Sequence, residues 1–115
     1  MKEPRLIVNR RLSARTPFRG AARVQLASGV SLDVQMWDLG GDGASLISPR
    51  PIPQGSTIDL RFELPAAGAS TLVVTRAKAV YSSYTAAAQF RIGLVFLDLS
   101  ADGTAAIDAF CRPTP

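Results

Sequence analysis

With 115 residues, 47% of them apolar and 19% charged, the chain is long enough for one domain with a single buried core and too apolar for wholesale disorder. It contains no apolar run approaching the roughly 18 residues of a membrane-spanning helix, and its first residues lack the apolar stretch of a secretory signal. Histidine is absent and Cys111 is the single cysteine. That removes the commonest general base, the commonest metal ligand, every Ser-His or Cys-His nucleophile, an internal disulfide and a cysteine-cluster zinc site. The nine carboxylates are scattered, with no pair spaced as a glycosidase or metal site. Composition therefore reads as a binding protein rather than an enzyme, with no metal and no resident cofactor. A chain without cysteine pairs suits the cytoplasm.

The net charge of +4 is unevenly placed. The first 23 residues hold seven of the thirteen basic side chains (Lys2, Arg5, Arg10, Arg11, Arg15, Arg19 and Arg23) against Glu3 alone, and the remainder is slightly acidic. All but Lys2 are arginine, whose flat fork fits phosphate oxygens and the O6/N7 edge of guanine. Pro4, Pro17 and Gly20 break any regular element, so residues 1–20 are expected to form a basic N-terminal arm, ordered only where something holds it.

From Ala21 the pattern alternates as β-strands do. Ala22 to Leu26, a turn at Ser28-Gly29, and Val30 to Trp37 make a hairpin with Val30, Leu32, Val34 and Met36 on one face. Trp37 is expected on the opposite face, as barrel packing. Asp38-Leu39-Gly40-Gly41-Asp42-Gly43 demands a tight turn, and Ala44 to Ile47 resumes as a short strand. Pro49, Pro51, Pro53 and Gly55 predict a rigid loop. Thr57 to Leu64 should bury Ile58, Leu60, Phe62 and Leu64. Thr71 to Tyr81 should bury Thr75, Ala77 and Ala79, followed by a Ser/Thr/Ala-rich connection. Gln89 to Leu97 should place Phe90, Ile92, Leu94 and Phe96 on one side. Ser100 with Asp102 then predicts a helix start, and Ile107, Phe110 and Cys111 recur at helical spacing. The expected architecture is all-β: six antiparallel strands closed as a barrel over residues 21–115, with a short C-terminal helix across it.

Two short motifs flank the first strands. Arg11-xxx-Arg15 lies just before the first strand, and Asp38-x-Gly40-x-x-Gly43 follows the second. In this order, with the later Gly93-Leu94-Val95-Phe96 and the closing helix, the chain resembles the PilZ domain family, bacterial receptors for cyclic di-GMP, from about Arg10 to Phe110. The family's signatures are RxxxR and (D/N)xSxxG. The resemblance implies a six-stranded PilZ-like barrel in which Arg11 and Arg15 grip guanine and phosphate, Asp38 reads a guanine edge and Gly43 holds the turn. Arg10, directly before the motif, is implied to admit a second, intercalated ligand molecule. Gly40 stands where the family has serine. The missing hydroxyl removes one neutral hydrogen bond, about 0.5–1.5 kcal/mol, while each arginine contact to a charged oxygen contributes about 1.5–3 kcal/mol. That arithmetic favours a weakened site over an abolished one.

Three functions remain to be separated. The leading one is a receptor or adaptor that binds cyclic di-GMP, changes its surface and signals to a protein partner. The second is a PilZ-fold interaction module that has lost nucleotide binding, with Gly40 as its mark. The third is a nucleic-acid binder, disfavoured because the positive charge is confined to the arm and no exposed aromatic row is visible on a strand. The downstream partner and ligand stoichiometry are not legible, and the chain could equally be part of a longer protein.

Overall fold

The computed structural model describes residues 15–66 and 68–112. Seven strands and one helix follow in order: β1 (Thr16–Pro17), β2 (Ala21–Gln25), β3 (Ser31–Leu39), β4 (Gly43–Ser48), β5 (Thr57–Ala66), β6 (Ala69–Ala86), β7 (Gln89–Phe96) and α1 (Ala101–Cys111). All pairings are antiparallel. β3 pairs with β2, β2 with β5, β5 with β6, β6 with β7 and β7 with β4, and β4 returns to β3. Each of the six long strands thus has a partner on both sides, and the ring leaves no open edge among them. This is the expected six-stranded architecture.

The period-2 alternation explains the interior. Leu32, Val34 and Met36 of β3, Ile58, Leu60, Phe62 and Leu64 of β5, Val73, Ala77 and Ala79 of β6, and Ile92 and Leu94 of β7 all point inward and are buried. Burying a side chain such as Ile92 or Leu60 contributes about 1.5–3 kcal/mol relative to leaving it in water. The proline-rich loop adds Ile52, fully buried between Pro51 and Pro53. Helix α1 begins at Ser100, whose side chain accepts from the Gly103 N–H at 3.0 Å, with Asp102 in the first turn. It lies against β5 and β6 and buries Ile107. Near its end Cys111 donates through Sγ to the Leu39 carbonyl at 3.4 Å, which ties the helix to β3.

Four details differ from the sequence reading. Val30 does not join the inward face; it precedes β3 and is 42% exposed, because the turn from Gln25 ends one residue later than the alternation implies. The Ser/Thr/Ala-rich stretch after Tyr81 is strand, not connection. β6 runs on to Ala86, paired with Gln89, since Val80, Tyr81, Tyr84 and Thr85 are strong β-formers and the partner strand is long enough. Trp37 is on the outer face opposite Val34 and Met36, as expected, but there its ring carries the Arg19 guanidinium and is not part of the barrel packing. The last residues assigned to the arm are held: Thr16 and Pro17 pair with Leu39 and Asp38. Beside them the Phe18 ring packs 5.8 Å from Phe62 and 5.3 Å from Phe110. Among the described residues no helix is long and apolar enough to cross a membrane.

Candidate functional site

The site begins with an irregularity in β3. Met36 is opposite Leu46 and Asp38 is opposite Ser45, so Trp37 is an extra residue with no partner on β4. Such a bulge breaks the alternation and re-aims side chains. After buried Met36, both Trp37 and Asp38 turn to the outer surface before Leu39 returns inward.

From Asp38 a row runs across the outside of the barrel. Pro17 of β1 faces Asp38 of β3, Asp38 faces Ser45 of β4, Ser45 faces Gly93 of β7, and Gly93 faces Tyr81 of β6. Ser45 and Gly93 are small, which leaves a shallow trough of about 190 Å³ between Arg15 and Asp38 on one side and Val80 and Tyr81 on the other. A larger surface concavity of about 520 Å³ lies elsewhere, over β2 and β5, where Arg23 already pairs with Asp33 at 2.9 Å.

Asp38 is the hub. Its Oδ1 accepts from the Ser45 backbone N–H at 3.1 Å and lies 3.5 Å from Arg15 Nη1. Its Oδ2 accepts from Arg91 Nη2 at 3.2 Å. Arg91 also donates to Ser45 Oγ at 3.4 Å, and the second terminal nitrogen of Arg15 lies 3.5 Å from Asp42 Oδ1. The two arginines and two aspartates balance in charge. They are only partly exposed, so their attraction is screened less than at an open surface. The geometry is not closed, however. Among the described residues, Arg91 Nε is buried without a hydrogen-bond partner, a cost of about 1–3 kcal/mol, and buried Asp42 Oδ1 has only its longer ion pair to Arg15. Next to the hub, the Arg19 guanidinium lies 3.6 Å from the centre of the Trp37 ring and donates to the Trp37 carbonyl, with Arg91 5.7 Å from the same ring.

The glycines of the second motif have structural work. The Gly40 N–H donates to the Gly43 carbonyl at 2.8 Å and closes the turn. A Cβ at Gly43 would overlap the Leu94 carbonyl oxygen, so this position admits only glycine if β4 is to pair with β7. Its need is thus set by the neighbouring strand as well as by the turn.

Of the expected site residues, Arg15 and Asp38 come together, Gly40 and Gly43 form the turn beneath them, and Arg10 and Arg11 lie outside the described residues. The sequence reading missed Arg91, Asp42, Ser45 and Tyr81. Arg91 had a usable signal, since it alternates outward with Gly93 on a strand whose Ile92 and Leu94 are inward. Ser45 and Tyr81 had none, because only the register brings them into one row with Asp38.

Several solved structures share this fold, three of which follow. The inhibitor of motility MotI/DgrA of Bacillus subtilis has a TM-score of 0.73 at 14% identity, over 84% of this chain and 47% of that one. PlzA of Borreliella burgdorferi, in complex with c-di-GMP, has a TM-score of 0.66 at 15% identity, over 96% and 44%. The PilZ domain of YcgR from Escherichia coli, with c-di-GMP, has a TM-score of 0.65 at 13% identity, over 83% of each. The chain spans just under half the length of the first two, and at these identities the likeness speaks for the fold alone. A search of curated proteins found no match. The PilZ domain family matches residues 9–112. That span takes in both motifs, the ring of strands and the helix, and this chain belongs to the PilZ domain family.

Proposed function

We propose that this chain is a cytoplasmic receptor for cyclic di-GMP that exchanges internal ion pairs for ligand contacts and presents the altered surface to a protein partner. The observation that carries the reading is the meeting of Arg15 with Asp38, the ends of two motifs 23 residues apart, at 3.5 Å beside an open trough. The family membership and the c-di-GMP complexes of PlzA and YcgR support the ligand class.

The mechanism is a substitution of partners. A guanine edge offers N1–H and N2–H₂, two parallel donors that match the Asp38 carboxylate. When they arrive, one donor takes the place of Arg15 at Oδ1 and the other uses the second lone pair of Oδ2 beside Arg91, and Arg15 is released toward a phosphate or the guanine O6/N7 edge. Arg91 stays on the other Asp38 oxygen and holds the carboxylate in place. Arg10 and Arg11 add the positive charge that two phosphates require. Releasing Arg15 from Asp42 changes the charge pattern beside the Gly40–Asp42 turn, and that is the change a partner reads. Loss of the family's serine at Gly40 weakens this site by about two- to tenfold without removing its charged contacts.

Equilibrium dialysis with cyclic di-GMP and cyclic di-AMP in parallel tests the reading. The account expects micromolar or tighter retention of the guanine dinucleotide, and at least tenfold weaker retention of the adenine one, whose edge cannot donate as a fork to Asp38. Equal retention of both, or of neither at high micromolar concentration, would overturn it. Retention of neither would leave the second reading, an interaction module without a ligand.

A further inference from the structure

The outer-surface row ends at Tyr81, and the way that side chain is built in has a use beyond packing. β6 is irregular between Ala79 and Tyr81: Ala79 faces Leu94, Tyr81 faces Gly93, and Val80 has no partner. Val80 and Tyr81 therefore both turn outward after buried Ala79. Across the pair, Gly93 has no side chain, and a Cβ there would run into the Tyr81 ring atoms. The ring thus lies directly over Gly93 and paves the floor of the trough, yet the residue remains 41% exposed. An aromatic face that covers a glycine from above and is itself open to solvent is a stacking surface.

Its position fits the nucleotide proposed for this site. Neighbouring strands lie about 4.8 Å apart, so Tyr81 over Gly93 and the Asp38 carboxylate are separated by Ser45 and about two strand spacings. A purine resting on the Tyr81 ring spans that interval and brings its edge over Ser45 to Asp38. The other aromatic surface near Asp38, Trp37, already carries the Arg19 guanidinium at 3.6 Å. Tyr84 is more exposed but leans edge-on against Phe90, away from the trough lining.

We infer that Tyr81 is a binding residue: the guanine whose edge pairs with Asp38 stacks on the Tyr81 ring. This rests on the proposed nucleotide reading and adds a residue and a geometry to it. Stacking needs the ring and not the hydroxyl. Tyr81→Phe therefore keeps the wild-type affinity for cyclic di-GMP within about twofold. Tyr81→Leu weakens it by roughly five- to hundredfold, the range for loss of an aromatic partner under a base. A second readout separates stacking from a packing role. In proton NMR of the bound nucleotide, a guanine H8 shifts upfield with wild type and Tyr81→Phe, through the ring current, and this shift is lost with Tyr81→Leu. Melting temperatures of the three proteins identify any variant that fails to fold, in which case the H8 shift on wild type and Tyr81→Phe decides. Binding with an unshifted H8, or a Tyr81→Leu protein of wild-type affinity, would overturn the stacking and leave the receptor reading intact. No binding by wild type would overturn both.

Discussion

Asp38 is flanked by a backbone N–H, two guanidinium groups and a neighbouring indole because one extra residue, Trp37, sits in β3. The glycines behind it divide into two kinds. Gly43 is fixed by the Leu94 carbonyl, so Gly43→Ala forces β4 from β7 and lowers stability by about 1–3 kcal/mol, measured as a fall in melting temperature. An unchanged melting temperature would show that the two strands separate freely there. Gly40 is different. Its φ is not among the left-handed glycines, which are Gly29, Gly55 and Gly68, so the backbone torsion there does not itself demand glycine. Gly40→Ser is expected to restore the family's hydroxyl and tighten cyclic di-GMP binding by about two- to tenfold, read by titration. Weaker binding by that variant would mean that the glycine is adapted to this site.

At the scale of elements, the alternation in β5 and the first half of β6 was enough to identify both strands and their buried faces, because one side is dry and the other wet along their whole length. The far half of β6 was not legible. From Val80 to Ala86 both faces are exposed, so no hydrophobic period marks it as strand, and only pairing with β7 holds it there. The same applies to the site. The two motifs mark Arg15 and Asp38 in sequence, and the β7 alternation marks Arg91 as outward-facing, but the meeting of Asp38, Ser45 and Tyr81 in one row depends on register shifts at Trp37 and Val80 that no local pattern announces. The β6–β7 hairpin closes through Ala87 and Ala88, and Ala88 holds a φ of +58°, where an L side chain crowds its own backbone. Ala88→Gly relieves that crowding and is expected to stabilise the hairpin by about 1 kcal/mol, offset in part by glycine's greater freedom when unfolded. A lower melting temperature would contradict the turn geometry.

For the whole molecule, the ring of six strands supplies a wall, and the proposed site lies on one stretch of its outside. Thr16 and Pro17 bind to β3, Phe18 enters the core against Phe62 and Phe110, and Arg15 is thereby delivered to Asp38 from a fixed point. Calorimetric titration with cyclic di-GMP, on wild type and Arg15→Ala in parallel, tests this most directly. The account predicts micromolar or tighter binding by wild type, weakened at least tenfold by the substitution, with a molar ratio near two if Arg10 admits a stacked ligand pair. Wild-type heat that Arg15→Ala reproduces unchanged would place the ligand elsewhere on the barrel, and the exchange of Arg15 from Asp38 to the nucleotide would be wrong.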